Sequence, residues 1–327
     1  MSERRAWFLN LDAEHELEAL KSYAPTQNLR EIVARESVRL IGKLVAPDDV
    51  VLTEEDVRLE TAAFSAAKGL VGVAWSPTRR ALELLAAAGT RAETAPSMEV
   101  LRAVNARPFA ARLREPFAES SFVKHVVTTL DETLAVLART ATDGWLVRRT
   151  FGAAGRGRRR ISAGKPRPEE LAWIAASLKF GPLVVEPWVQ ILCEYTRSGW
   201  VGADGSIAIS RPCFQQTNEH GTWTRTDAVA AHEVSREDDD RLSATMQHVG
   251  EALFVAGYFG PFGIDAYRHR AVDGSHATAL NPLSEINARF TMDWATAFAA
   301  DPRQGDAHML ATGFSNRDMT SARSGAT

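Results

Sequence analysis

The sequence predicts a mixed α/β (α+β) protein built from more than one layered unit, and three observations carry that expectation. Short apolar runs alternate with helix-like periods through the first hundred residues, the pattern of a small α/β layer domain. A glycine- and arginine-rich stretch, Arg148–Ile161, lies between two strand-like runs. The last third is dominated by strand patterns punctuated by Asp-Gly turns.

Taken in order, Leu29, Ile32, Val33, Leu40, Ile41 and Leu44 recur at helical spacing and predict a helix over 28–44. Val50–Leu52 and Gly69–Trp75 read as buried strands. Ser76 is expected to cap a helix with Pro77 at its first position and Gly89 past its end. Pro96 marks a linker. Asp131 caps a predicted helix to about Ala141, and Trp145–Arg149 is a strand entering the glycine-rich loop, with Arg158–Ile161 its return. Pro168 opens a helix to Leu178, and Pro182–Val189 is a strongly apolar strand. Glu194–Val201 and Ser206–Ser210 flank the turn Ala203-Asp204-Gly205, a hairpin signal. A helix fits Arg236–Val255, and strands near Phe262–Arg268 and His276–Ile286 flank a second turn at Asp273-Gly274.

Composition narrows the function classes. The 327 residues carry 38 Lys+Arg against 41 Asp+Glu, a formal net charge of -3, so no global field draws the chain to nucleic acid or to an anionic membrane. A hydrophobic fraction of 45% with 24% charged residues is that of a folded chain rather than a disordered one. No run approaches the roughly 18 apolar residues of a membrane span, and the N-terminus lacks a secretory signal. Cys193 and Cys213 form no C-x-x-C and cannot staple a chain this large. These features together give a cytoplasmic expectation with neither membrane nor nucleic-acid partner. The histidines show no H-x-x-x-H spacing, which argues against zinc catalysis.

Three stretches could carry chemistry. In RRTFGAAGRGRRRI, Gly152, Gly155 and Gly157 let backbone N–H groups turn toward a ligand while Arg148, Arg149 and Arg156 add charge, a combination suited to phosphate. No G-K-[ST] closes it, so it is not a Walker loop, and by itself it reads equally well as a solvated basic hairpin. Asp265, Glu285 and Asn287 form the second set. Glu285 and Asn287 are two apart, so on one strand both face the same side, and Asp265 on a neighbouring strand would complete an all-oxygen cluster of the kind Mg²⁺ prefers. Surface carboxylates at strand ends are the bland alternative. Third, Glu186 ends a strongly apolar strand, where burial is costly unless donors meet it.

The order of these pieces, over roughly Ala86 to Trp294, resembles the ATP-grasp superfamily of carboxylate–amine and carboxylate–thiol ligases. The E-x-N-x-R form of Glu285–Arg289 is similar to the biotin carboxylase and carbamoyl phosphate synthetase branch. The resemblance implies an N-terminal Rossmann-like pre-ATP-grasp domain over 1–104. It implies a small lid subdomain with the glycine-rich loop over 105–185, a C-terminal subdomain with the metal site over 186–312, and a frayed tail over 313–327. It implies ATP and Mg²⁺ as cofactors, and small-molecule or peptide carboxylates and amines as substrates. Residue by residue, Glu186 matches the hinge carboxylate near the adenine amino group, with Trp188 and Val189 offering backbone contacts, and Glu194 matches the ribose ligand. Gly152, Gly155, Arg156 and Gly157 match the loop over the phosphates. Asp265, Glu285 and Asn287 match the Mg²⁺ ligands, and Arg289 the residue that holds a carboxylate substrate or a developing oxyanion.

Two departures stand out. Where the family usually places lysines on the phosphates, this chain has Arg107 and Arg148 (or Arg149), in a sequence with 6 lysines and 32 arginines. Arginine keeps the charge but imposes a planar fork. Where some members carry an arginine two residues before the first metal ligand, this chain has Gly263. The implied reaction is ATP-dependent activation of a carboxylate and its coupling to an amine, with amino acids and peptides among the acids. A phosphotransferase and an ATP-binding protein without ligase turnover are the rival readings. The segment Arg211–Trp223, with Gln215, Gln216, Asn218 and His220, is expected near the second substrate.

Overall fold

A computed structural model describes residues 3–299 apart from 20–21, 115–121, 140–142, 153–155, 218–222, 229–233 and 273–276. Gly155, Asn218, His220, the Asp273-Gly274 turn and the tail 313–327 lie outside the described residues.

Three sheets follow one another along the chain. The first is parallel, with β1 (Arg5–Phe8) between β2 (Val50–Leu52) and β3 (Val71–Ala74). Its strands alternate sides. Ala6 and Phe8 pack with Ala81 and Leu85 of the helix Arg79–Ala87, while Trp7, Val71 and Val73 meet Phe290, Trp294 and Phe298 from the far end of the chain. The C-terminal aromatics therefore close the underside of the N-terminal sheet. Trp294 is fully buried, and its removal should cost about 3–5 kcal/mol.

The second sheet is antiparallel, with β4 (His125–Val127), β5 (Trp145–Arg149), β6 (Arg158–Ile161) and β7 (Leu183–Pro187) in the order β4-β7-β5-β6. The helices Leu130–Leu137 and Pro168–Leu178 bury its back around Trp145, Val147, Ile161, Ile174 and Val185. The third sheet contains β8 (Ile191–Val201), β9 (Ile207–Ile209), β10 (Cys213–Thr217), β11 (Trp223–Ala228), β12 (Gly260–Arg270) and β13 (Thr278–Asn287). Its path is β11-β10-β8-β12-β13, with β9 also on β8. The helix Arg236–Val255 lays Met246, Val249 and Leu253 against Val201, Phe262 and Ile264.

Several elements differ from expectation for local reasons. The helix predicted over 28–44 is Gln27–Ser37 followed by a single tight turn at Val38–Leu40, and Gly42 at φ 77° ends any continuation. Ser76 does not cap the next helix, which starts at Arg79 after Thr78. Ser76 is occupied by Asn10, whose side chain accepts from its N–H at 3.1 Å and donates to its carbonyl at 2.9 Å. Thr129, not Asp131, caps Leu130–Leu137, in a reciprocal capping box with Glu132. β1, β4, β10 and β11 had no counterpart in the sequence reading; β10 and β11 form a largely polar edge hairpin with little apolar alternation.

Candidate functional site: a cationic sheet face opposed to a carboxylate strand pair

Period-two geometry sorts the adjacent arginines of β5. Arg149 turns to the helix side, where it donates to Ser177 Oγ at 2.9 Å and lies 5.5 Å from the rings of Trp173 and of Phe180. Arg148 turns into the cleft. Its guanidinium meets both a carboxylate oxygen of Glu285 on β13 and, at 3.5 Å, Glu186 on β7. Arg148 is thus the cleft residue of the two.

Arg107 opens the helix Arg107–Leu113 and reaches the same carboxylate. It donates to the carbonyls of Arg149 at 3.0 Å and Gly152 at 2.6 Å, and stands 3.0 Å from Glu285 Oε1. Gly152 is required here, since an added Cβ would sit 2.5 Å from the Arg156 carbonyl oxygen and 3.0 Å from Arg107. Gly157 has φ 70° and its carbonyl accepts from Arg149 N–H, which closes the base of the loop. Arg156 is exposed at its rim.

The carboxylate side is built by the β12–β13 pair. Asp265 lies directly opposite Glu285, and Gly263 opposite Asn287, so Asp265, Glu285 and Asn287 share one face as the spacing predicted. Asn287 donates to Asp265 Oδ2 at 3.2 Å and accepts from Arg289 at 3.0 Å. The two carboxylates sit in opposite surroundings. Burial alone would raise Glu285, but Arg107 and Arg148 outweigh it and hold its carboxyl at about 2. Asp265 is pushed up to about 7 by burial and by repulsion from Glu285 and Asp293, with Asn287 and Arg289 compensating only in part.

Glu186 is buried at the end of β7, paired to Lys124 at 3.2 Å and to Arg148. Its carboxylate is committed to this cationic cluster. Trp188 N–H already donates to the Gly144 carbonyl at 2.9 Å, and the Trp188 ring is covered by Arg160. Val189 follows, half-buried. Glu194 on β8 is raised by burial, with Thr217 and Arg158 opposing the shift. Gln215 and Gln216 fall on β10, in the same sheet.

Lys124 was not singled out in the sequence. Just before β4, it donates to the carbonyls of Leu283 and Ser284 at 3.2 and 2.9 Å, which ties the second sheet to the stretch of β13 leading into Glu285. Burial and the neighbouring Arg148 lower it to about 8 despite Glu186. Its only signal was scarcity: it is one of 6 lysines. Burial and Arg148 lower Arg107 as well, even beside Glu285, and Arg158 is lowered by the same two causes. Arg107, Lys124 and Arg148 outnumber Glu186 and Glu285, the two carboxylates they pair with. The side-chain nitrogens Nε of Arg107 and Arg148 are buried without a hydrogen-bond partner. Such a cluster favours an added anion.

No family model matches the sequence, and no curated protein matches it. Among solved structures, the chain is similar to biotin carboxylase from Campylobacter jejuni, solved as a β,γ-ATP complex, at a TM-score of 0.58 and 12% identity over 98% of this chain and 73% of that one. It is similar to an ADP complex of N5-carboxyaminoimidazole ribonucleotide synthetase at a TM-score of 0.52 and 14% identity, covering 94% and 75%. An ATP-grasp superfamily protein from Archaeoglobus fulgidus aligns at a TM-score of 0.50 and 11% identity, covering 95% and 88%.

The chain has the ATP-grasp fold.

At these identities the likeness is one of architecture, and the chemistry has to be argued from the side chains. The stretch β4–β7, with the helix Arg107–Leu113, carries the cationic face and β12–β13 the acidic one. Among the described residues no three His, Cys, Asp or Glu side chains cluster as a metal site, so any cation here would be held by two carboxylates and an amide. That donor set fits a hard divalent cation: all three offer oxygen, and Asp265 is a half-buried carboxylate that Arg289 relieves only in part. No helix among the described residues is long and apolar enough to cross a membrane.

Proposed function

We propose that this chain is an ATP- and Mg²⁺-dependent ligase that activates a carboxylate as an acyl phosphate and joins it to an amine. The observation that carries the reading is the convergence of Arg107 and Arg148 on Glu285, and of Lys124 on the β13 carbonyls before it, in the strand pair bearing Asp265, Glu285 and Asn287. Phosphoryl transfer is mainly a problem of positioning and charge neutralisation. Arg107 and Arg148 would move from Glu285 onto phosphate oxygens, where a planar fork can hold two at once. That exchange would free Glu285 to join Asp265 and Asn287 around Mg²⁺, which when bound neutralises phosphate charge. Glu194 would receive ribose hydroxyls, and Trp188 and Val189 would border the adenine.

In the first step a carboxylate oxygen of the acid attacks the γ-phosphorus and ADP leaves. In the second the amine nitrogen attacks the acyl carbon, inorganic phosphate leaves, and the amine loses a proton. In this reading the glycine-rich loop, from a base set by Gly152 and Gly157, would exclude water from the intermediate.

Product analysis across a panel of acids and amines tests the reading. ADP and phosphate should appear in equal amounts only when acid and amine are both present, together with a new amide. Phosphate retained on an acceptor would identify a phosphotransferase, and tight Mg-ATP binding without any turnover across the panel would sink the ligase reading.

A further inference from the structure

Strand β13 does not pair evenly with β12. Asp265 stands opposite Glu285 and Tyr267 opposite Asn281, so between these positions β13 has Pro282, Leu283 and Ser284 where β12 has only Ala266. The strand therefore bulges by two residues immediately before Glu285. A shift of two keeps the side-chain alternation in phase, which is why Asp265 and Glu285 still share a face. A bulge also takes backbone groups out of the ladder, and buried ones need other partners. Here the carbonyls of Leu283 and Ser284 accept from the ammonium of Lys124, at 3.2 and 2.9 Å.

The rest of the bulge is fixed as well. Leu283 is fully buried in the core with Phe262 and Ile264. Asn281, at its start, accepts from Arg114 at 2.6 Å, and Arg114 also donates to the carbonyl of Phe122 at 2.8 Å. The segment leading into β4 is thus bonded to the bulge through Arg114 and Lys124. Burying an ammonium is costly, and the Lys124 side chain is only 3% exposed. Three oxygens compensate it: the two β13 carbonyls and Glu186 Oε2, 3.2 Å away on β7. One group therefore grips both the strand that carries Glu285 and a strand of the facing sheet.

This matters at the moment when Arg107 and Arg148 leave Glu285 for phosphate. The Glu285 side chain then loses both ion pairs, and the shape of its own backbone has to keep it beside Asp265. Lys124 is bonded to that backbone rather than to the carboxylate, so it does not have to let go. We propose that Lys124 is a positioning residue for the metal site: by holding the β13 bulge it keeps Glu285 opposite Asp265 after the arginines have moved to the nucleotide. The inference rests on the ligase reading and adds to it a residue that acts through the strand, without touching nucleotide or metal.

The test uses the full chain and two calorimetric titrations. In one, Mg²⁺ is added to the chain carrying a non-hydrolysable ATP analogue, with the chain in excess; in the other, the analogue is added to the metal-free chain in chelator. Lys124→Met, which removes both carbonyl bonds, should weaken Mg²⁺ binding about ten-fold or more and change metal-free binding of the analogue far less. Lys124→Arg keeps the charge and the donors on a larger planar fork, so it should recover part of the Mg²⁺ affinity. If Lys124→Met fails to fold, Lys124→Arg alone should still bind Mg²⁺ more weakly than wild type, with metal-free binding of the analogue unchanged. Wild-type Mg²⁺ affinity in Lys124→Met, or in Lys124→Arg where only that variant folds, would overturn the proposal. A loss of metal-free analogue binding as large as the loss of Mg²⁺ binding would overturn it too, because Lys124 would then act on the nucleotide. Should wild type bind the analogue but no Mg²⁺, the ligase reading falls and this role with it; should wild type bind Mg²⁺ and the variants bind it equally, only the role of Lys124 falls.

Discussion

The two sheets that face each other across the cleft carry opposite charge but pair unevenly. The four-stranded sheet, with the helix Arg107–Leu113, contributes Arg107, Lys124 and Arg148, and the larger sheet contributes Asp265 and Glu285. Glu285 is ion-paired to two arginines; Asp265, directly opposite it in register, has no ion pair among the described residues and only partial relief from Arg289. Paired positions on one strand ladder are thus driven in opposite directions, Glu285 to about 2 and Asp265 to about 7. The lesson is that the cleft holds a surplus of cations on one side and an under-compensated carboxylate on the other, with Glu285 as the joint between them. Phosphates would answer the first imbalance and a divalent cation the second.

Breaking the joint should have the largest effect. Glu285→Ala leaves the buried Arg107 without its carboxylate and Arg148 with Glu186 alone, and is expected to cost about 3 kcal/mol in urea unfolding. Adding Arg107→Met to Glu285→Ala should recover part of that loss, because the stranded charge is removed. If Glu285→Ala unfolds like wild type, the two arginines have other partners and the sheets are not joined here.

The unpaired partner gives a smaller effect with the opposite sign. Asp265 titrates at about 7 in the fold against about 3.9 in an unfolded chain, so the folded state binds the extra proton between those values. A raised carboxyl therefore stabilises below the window and loses that contribution as pH rises from about 4 to about 7. In chelator, wild type should lose about 2 kcal/mol across this window relative to Asp265→Asn, whose profile stays flatter; this is about half of what the full shift would give, because the carboxylate is partly exposed and solvent screens it. At pH about 7 or above, Mg²⁺ should restore stability to wild type and do little for the variant. Parallel pH profiles for the two proteins would show that Asp265 is ordinary.

How much of this was legible in the sequence depended on whether local periodicity was enough. The face shared by Asp265, Glu285 and Asn287 follows from a two-residue spacing on a strand, and the helices Pro168–Leu178 and Arg236–Val255 from caps and period. What periodicity cannot supply is the partner across a cleft. Lys124 gave no motif because its meaning lies in Glu186 and in the carbonyls of β13. Glu14 and Arg289 are 275 residues apart and meet only because the N-terminal sheet rests on the C-terminal aromatics. Glu186, read as a carboxylate beside the adenine amino group, is paired with two cations whose side chains no local pattern places near it. The helix starts at Thr78 and Thr129 were displaced by side-chain bonds, Asn10 to Ser76 and Thr129 to Glu132, that outcompete the residue with the better propensity.

The smallest effect sharpens the same comparison at one peptide bond. Arg148 and Arg149 were indistinguishable in sequence, and the sheet separates them, one facing the carboxylates and the other the helix behind. Arg149→Ala loses its bond to Ser177 and its contacts with Trp173 and Phe180, which should lower stability by about 1 kcal/mol. Because none of those partners lies in the cleft, ATP affinity measured by calorimetry should stay within about two-fold of wild type, whereas Arg148→Ala should weaken it about ten-fold or more. The reverse ranking, with Arg149→Ala the more damaging to nucleotide binding, would mean that β5 turns its other face to the phosphates, and the assignment of Arg148 to the cleft would fall with it.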